Sequence, residues 1–373
     1  MTTIKFGTDG WRAIIAQEFT TENVARVAYA TALWIKENSE NHSAVVGFDC
    51  RFGGKLFTET TISVLINEGI TVYTSENFVS TPMVSLSTTI HSAYTGIVIT
   101  ASHNPPSYNG FKIKAHYGGP AVQAEIDAVE TKIPSEFKPT TLPFDTIKDH
   151  KLVHIIDMEQ EYIDHVRKNF DIDKINSCGL KFGYDAMYGA GQNVIRRLIP
   201  NATLLHADYN PSFDGQAPEP IARNLSEFSN LIANSDIDSG LATDGDADRI
   251  GLFDDNGKFV DSHHIILLLI RYLVEFKQEE GNVYTSFSCT SKIKSICDHY
   301  GLDHHVTKIG FKYICEEMIS NPTLLGGEES GGIAVNSHIP ERDGIWMGLI
   351  LWEYMANTGK SLNTLIEEVY QIT

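Results

Sequence analysis

No C-x-x-C pair occurs in this sequence, and its five cysteines, Cys50, Cys178, Cys289, Cys297 and Cys315, are odd in number. That usage excludes a disulfide framework and fits reduced thiols in a cytoplasmic protein. Long apolar runs are missing too. The greasiest stretch, Ile265 to Leu269 and on past Arg271 to Phe276, is too short to span a bilayer and reads as a buried core helix. The N-terminal residues Met1 to Gly7 lack the apolar segment of a signal peptide. Positive charge is scarce: 29 Lys and Arg face 48 Asp and Glu, for a net charge of −19. Nucleic acid and membrane surfaces, which attract basic patches, are therefore not expected partners. A phosphorylated small molecule is compatible with this charge, but isolated Arg and Lys must hold it. With 42% hydrophobic and 21% charged residues, the chain has ordinary globular composition. Its 373 residues suffice for two or three domains with real cores.

What is present alternates between β and α patterns, which implies an α/β fold. After Thr20-Thr21, the apolar positions Val24, Val27, Ala28 and Ile35 recur at helical spacing. A repeat is more telling than any single element. Gly96–Thr100 leads into a loop with Ser102 and then Phe111-Lys112-Ile113. Leu241-Ala242-Thr243 leads into Asp244-Gly245-Asp246-Ala247-Asp248-Arg249 and then Ile250–Phe253. Leu324-Leu325 leads into Gly326–Gly332 and then Ile333-Ala334-Val335. Each is a short strand, a polar loop and a second strand. Each is preceded by an apolar run ending in a polar turn, at Val45–Asp49, Leu180–Asp185 and Val283–Phe287. Three similar consecutive α/β domains, each a mixed sheet flanked by helices, fit this better than one large sheet. The expected spans are 1–140, 141–256 and 257–373. The first boundary rests on Pro134, Pro139 and Pro143, and the second on Asp254-Asp255-Asn256-Gly257.

The loops carry the chemistry. In an open α/β sheet, ligands gather at the carboxyl ends of strands. Ser102, in Thr100-Ala101-Ser102-His103-Asn104-Pro105, is delivered to such a position. The G-x-S-x-G elbow of hydrolases is absent, since Thr100 and Asn104 hold the glycine positions. Beside a metal and cations, this serine fits a phosphoryl carrier, because phosphoryl transfer depends mainly on positioning and charge neutralisation. The alternative is a turn hydroxyl that caps backbone. Asp244, Asp246 and Asp248 offer three hard oxygen donors on one side of an extended chain, which suits Mg²⁺ or Ca²⁺. The spacing also opens an EF-hand loop. Arg249 at the sixth position, Asp255 at the twelfth and strand-like flanks argue against that. A solvated acidic turn is the other alternative for these carboxylates. Arg249 is placed either to face a metal-held phosphate or to neutralise the carboxylates. Lys112 can return its ammonium to Ser102, or sit on the surface of its strand. Lys114, on the same face by alternation, is the control. Gly7-Thr8-Asp9-Gly10-Trp11-Arg12 can hold an anion through backbone amides and Arg12. Glu328, Glu329 and Ser330 between glycine pairs suit a sugar ring, or a plain solvated turn. Lys308-Ile309-Gly310-Phe311-Lys312 can add ligand contacts.

Taken in this order, Gly7–Arg12, Thr100–Pro105, Asp244–Arg249 and Gly327–Gly332 resemble the α-D-phosphohexomutase family, along essentially the whole chain. The resemblance implies domains around a shared active-site cleft. It implies that Ser102 is a phosphoserine, with Mg²⁺ held by Ser102, Asp244, Asp246 and Asp248. Lys112 and Arg12 match the acid–base and phosphate-contact positions, and His103 and Arg249 match active-site neighbours. Glu328 and Ser330 match residues that grip sugar hydroxyls, with Thr8, Lys308 and Gly310 as further substrate contacts. A hexose 1-phosphate would receive the phosphoryl group, pass through glucose 1,6-bisphosphate or its analogue, and leave as the 6-phosphate. Glucose ranks first and mannose second. The glucosamine branch ranks third, because it usually has Gln where this loop has Glu and Gly where Ala13 follows Arg12. Family members also carry a fourth domain with an Arg-x-Ser-Gly-Thr-Glu-Pro loop for the second phosphate. No such loop occurs before Thr373, so the fourth domain is expected to be missing and the full cycle impaired. Two other classes are a sugar-phosphate binder without turnover and a Ca²⁺-binding protein.

Overall fold

A computed structural model describes residues 3–138 and 140–373; Met1, Thr2 and Pro139 lie outside the described residues. The chain divides into two compact units. One runs to Tyr162 and includes Asn210–Ala217; the other comprises Ile163–Tyr209 and Pro218–Thr373.

The first unit holds a six-stranded sheet of β1 (Trp11–Ile14), β2 (Ser43–Phe48), β3 (Thr71–Thr74), β4 (Thr95–Ile99), β5 (Tyr108–Ala115) and β6 (Val153–Ile155), in the order β1-β5-β4-β2-β3-β6. β2 runs parallel to β3 and β4, and β5 runs antiparallel to β4 and β1. Helix Thr21–Asn38 begins where Thr20 accepts the backbone N–H of Asn23, a side-chain cap worth about 1 kcal/mol. β2 and β4 are buried along their whole lengths, as expected of parallel strands covered on both faces.

The second unit repeats the plan twice. Its first sheet is β7 (Phe182–Asp185), β8 (Thr203–Leu205), β9 (Ser239–Thr243), β10 (Ile250–Phe253) and β11 (Phe259–Val260), in the order β11-β10-β9-β7-β8. Its second sheet is β12 (Asn282–Ser286), β13 (His304–Thr307), β14 (Thr323–Gly327) and β15 (Ile333–Val335), in the order β13-β12-β14-β15. In each sheet one interior strand, β7 or β12, is parallel to both neighbours, and an antiparallel hairpin follows. The sheets therefore share one core topology, and their hairpins β4–β5, β9–β10 and β14–β15 carry the three polar loops. Helix Ser262–Glu275 is the apolar run seen in the sequence, buried along most of its length. No described helix is long and apolar enough to cross a membrane. None of the five cysteines forms a disulfide.

At both expected boundaries a short strand carries the sheet a little further. Past the proline-containing stretch, the chain returns to the first sheet, where β6 pairs parallel to β3. Asp254–Gly257 is a tight turn inside the sheet β11-β10-β9-β7-β8: Asp254 accepts the N–H groups of Asn256 and Lys258 through its side chain, and β11 pairs back on β10. Asn-Gly is a hairpin signal, and here it joins two strands.

Candidate functional site

Ser102 follows β4 and is fully buried, with a left-handed backbone at φ 52°. A non-glycine residue there costs roughly 1–2 kcal/mol, so the loop must be braced. Thr100 Oγ1 accepts the Ser102 N–H at 2.9 Å. Arg51, wholly buried, donates to the carbonyls of Ser102 and Asn104 through one nitrogen, and to those of Pro105 and Tyr108 through the other. Asp49 lies 3.3 Å from Arg51 Nε and accepts the Thr100 hydroxyl at 2.5 Å. Ser102 Oγ and His103 Nδ1 are 3.3 Å apart.

The glycine-punctuated N-terminal loop serves the same unit. β1 pairs on β5 with Arg12 opposite Gly110. Arg12 donates to Asn104 Oδ1 at 2.9 Å, which ties it to the Ser102 loop, and to Asp9 Oδ2 at 2.8 Å. That same Asp9 oxygen lies 2.9 Å from Lys112 Nζ. One carboxylate oxygen therefore aligns both cations. Lys112 and Lys114 are buried, which overturns the reading of Lys112 as a surface lysine. Gly110 cannot be replaced: a Cβ would lie 2.4 Å from Thr100 O and 2.8 Å from Trp11 O. Thr8 is exposed and stands apart from these contacts.

In the second unit, Asp244, Asp246 and Asp248 are fully buried, and one oxygen from each lies within 4.8 Å of the others. They converge through a turn, not along an extended chain as the spacing suggested. Asp244 Oδ1 accepts the N–H groups of Asp248 and Arg249, and Ala247 is left-handed at φ 57°. Three buried hard oxygens fit a small divalent cation such as Mg²⁺ better than a soft metal. Strands on both sides rule out an EF-hand. Arg249 makes no ion pair among the described residues, and its Nε has no hydrogen-bond partner. Arg342 pairs with the loop, 2.7 Å from Asp248 Oδ2.

The Glu328 loop adjoins the aspartate loop, since Ile250 N–H donates to Gly331 O. Its two carboxylates diverge. Glu328 is buried and accepts the Gly310 N–H at 2.8 Å. Glu329 accepts the hydroxyls of Ser286 and Ser288. Burial opposes its charge, yet these hydroxyls hold its carboxyl below the ordinary range. Gly310 thus serves Glu328 through its backbone. Ser330 is half-buried in the same loop, whereas Lys308 is exposed, with its ammonium 5.6 Å from the Tyr313 ring. The structure adds four residues that motif reading missed: Asp9, Asp49, Arg51 and Arg342. An Asp-x-Arg directly after the apolar run Val45–Phe48, and an Arg-Asp-Gly before the apolar run from Ile345, were the available signals.

Burial raises the Glu328 carboxyl above its ordinary value, against the lowering pull of Arg342, the Gly310 N–H and Arg249. A raised carboxyl protonates early as pH falls. Its charged form costs the fold stability, and that cost is relieved as pH drops through the raised value. Binding that needs the carboxylate weakens over the same interval. The profile of kcat/KM, taken from about pH 8 to about pH 5, should show an acid limb above the usual glutamate range, and Glu328→Gln should remove it. An unchanged limb in that variant would assign it to another group.

Three families match the chain in order: phosphoglucomutase/phosphomannomutase alpha/beta/alpha domain I over residues 3–139, domain II over 160–257 and domain III over 261–372. A phosphoglucomutase/phosphomannomutase of Thermococcus kodakarensis is 28% identical over 369 residues, covering 98% of this chain and 80% of its own length. A phosphoglucosamine mutase of Caldanaerobacter subterraneus subsp. tengcongensis is 30% identical, covering 96% of this chain and 80% of its own. A crystal structure from Thermus thermophilus, described as a candidate phosphomannomutase, superposes with a TM-score of 0.92 at 31% identity, covering 100% of this chain and 84% of that one. With the three-domain match spanning nearly all its residues, the chain belongs to the phosphohexomutase family of isomerases.

Proposed function

We propose that this protein interconverts hexose 1-phosphates and hexose 6-phosphates through a phosphoserine at Ser102, with glucose the first substrate and mannose the second. The observation that carries the reading is the bracing of Ser102: a serine held left-handed at a strand end, with Arg51 on its carbonyl side and Asn104 linking it to Arg12. Such rigidity suits a group that must present one oxygen in line for transfer.

In the forward direction, the 6-hydroxyl of a hexose 1-phosphate attacks the phosphorus on Ser102. The bond from phosphorus to Oγ breaks, and a bond from phosphorus to O6 forms. The hydroxyl proton passes to Lys112 in its neutral amine form, and Asp9 then holds the ammonium that results. The resulting 1,6-bisphosphate turns over, and its 1-phosphate returns to Ser102 by the same exchange, leaving the 6-phosphate. Arg12 holds phosphate charge, and Arg249, its guanidinium uncommitted, serves the same purpose in the second unit. Glu328 accepts sugar hydroxyls, with Ser330 beside it. Asp244, Asp246 and Asp248 would hold Mg²⁺, which when bound draws negative charge from the transferring phosphoryl group.

The test is mass spectrometry of the Ser102 peptide before and after incubation with glucose 1,6-bisphosphate and Mg²⁺. One phosphate is expected on Ser102, and none in an Asp246→Ala control. A chain that turns over while Ser102 stays unmodified would end the proposal. A glucosamine phosphate substrate has its own support in the glucosamine mutase relatives. Comparing kcat/KM for glucose, mannose and glucosamine 1-phosphates decides the order, and glucosamine in the lead would reverse it.

A further inference from the structure

We propose that Arg342 is a resident counter-ion of the aspartate loop: it holds Asp248 in place before a divalent cation arrives and, by its own charge, weakens the cation's binding. The inference rests on the reading of Asp244, Asp246 and Asp248 as a cation site.

Three carboxylates converging within 4.8 Å, all buried, repel one another and lose hydration, and a buried charge without a partner is strongly destabilising. Positive charge close to the loop offsets that cost, and Arg342 contributes it at Asp248. Its Nη2 lies 2.7 Å from Asp248 Oδ2, with both side chains almost wholly shielded from water. A guanidinium keeps its charge throughout the working pH range.

The surrounding packing fixes this arginine in one place. Its stem passes so close to Gly332 that a Cβ there would lie 2.5 Å from Arg342 Cδ. Its guanidinium carbon is 5.5 Å from the centre of the Phe311 ring. The next residue, Asp343, caps helix Gly344–Thr358 by accepting the Trp346 N–H, and its own N–H donates to Ile333 O at the start of β15. Gly344 N–H donates to Ala247 O inside the aspartate loop, and a Cβ on Gly344 would lie 2.2 Å from Arg249 O. The segment 342–344 is thus pinned between the sugar hairpin and the aspartate loop. Arg342 also acts on Glu328, whose charge it favours. It is a positioning residue with three anionic neighbours, Asp248, Glu328 and Glu341, the last 3.8 Å from its Nε, and a divalent cation at Asp248 competes with it for the first.

The opposed signs make the inference testable. Arg342→Met keeps an unbranched apolar stem against Gly332 and Phe311 and removes the charge. In EDTA its thermal midpoint should fall. Titration calorimetry with Mg²⁺ alone should show binding about tenfold tighter than in the parent chain, because the competing cation is gone. Saturating Mg²⁺ should then recover most of the lost midpoint. Arg342→Lys keeps the charge, and its Mg²⁺ affinity should stay within about threefold of the parent. Arg342→Gln can still donate a hydrogen bond to Asp248 without charge; it carries the same expectation as Met and replaces it if that variant does not fold. A purely structural arginine would lower stability and weaken Mg²⁺ binding together. That result, or unchanged affinity in the uncharged variants, overturns the proposal. Absence of Mg²⁺ binding by the parent chain overturns the cation site itself.

Discussion

Arg51→Met should cost the first unit about 3–5 kcal/mol of stability, the usual consequence of breaking a buried ion pair from one side, and remove nearly all turnover. Arg51 and Asp49 are both completely buried. Methionine fills similar volume but takes the guanidinium away from the buried Asp49 carboxylate, which also accepts the Thr100 hydroxyl and the backbone N–H of residue 51. It also releases four loop carbonyls at once, those of Ser102, Asn104, Pro105 and Tyr108. The planar fork and its several donors are what this position uses. Arg51→Lys should therefore rescue the charge and not the loop, recovering part of the stability and little activity. Arg51 also lies 5.0 Å from the centre of the Phe213 ring, in the short segment Asn210–Ala217 that belongs to this unit although it is remote in sequence. Denaturant unfolding of the two variants, followed alongside turnover, separates these effects. A loss below about 1 kcal/mol with normal turnover would show that the loop holds its shape without the clamp.

The contrast between Ser102 and Arg51 shows what could be read from the sequence and what could not. Ser102, the three aspartates and Glu328 stand in loops rich in Gly, Asp and Pro between apolar runs, and such loops advertise themselves. Their hairpins were legible for the same reason, as were helices Thr21–Asn38 and Ser262–Glu275, whose apolar residues keep a helical period or an unbroken run. The braces were not legible, because each acts from another segment. Arg51 follows β2, Asp9 precedes β1, and Arg342 precedes the helix from Gly344. Only sheet order brings Asp9 to Lys112, through β1 on the far side of β5. Strands of two or three residues such as β11 and β6 are too short to show a period of two. The aspartate loop misled in its own way. Alternation assumes an extended chain, but Asp244 caps the backbone of Asp248 and Arg249 and folds the loop into a turn. The convergence was right for a different reason. Glu328 and Glu329 show the limit of composition: adjacent and chemically alike, they face different partners, one a backbone amide beside two arginines and the other two serines.

Ser102→Gly should produce an inactive chain that is more stable than Ser102→Ala by about 1 kcal/mol. Both variants lack the hydroxyl that would carry phosphate, so both should show turnover at the assay background and no phosphate on the loop peptide. They differ in the backbone. Residue 102 sits at φ 52°, where alanine keeps the clash between Cβ and carbonyl oxygen and glycine does not. Glycine also gives the unfolded chain more freedom, which returns about 0.4–1 kcal/mol of the relief, so the gain over the parent is small while the gain over alanine persists. The contact between Oγ and His103 Nδ1, at 3.3 Å, is a long one and contributes little. Ala247 supplies an internal comparison: it is also left-handed, at φ 57°, and Ala247→Gly should stabilise the aspartate loop without removing any donor. If Ser102→Ala equals or exceeds Ser102→Gly in stability, the loop holds no strain at residue 102. If either variant still takes up phosphate at turnover rates, Ser102 is not the carrier. If instead both are inactive and glycine is the more stable, residue 102 trades stability for function: a loop that would rest more easily on glycine keeps a serine there because transfer requires its oxygen.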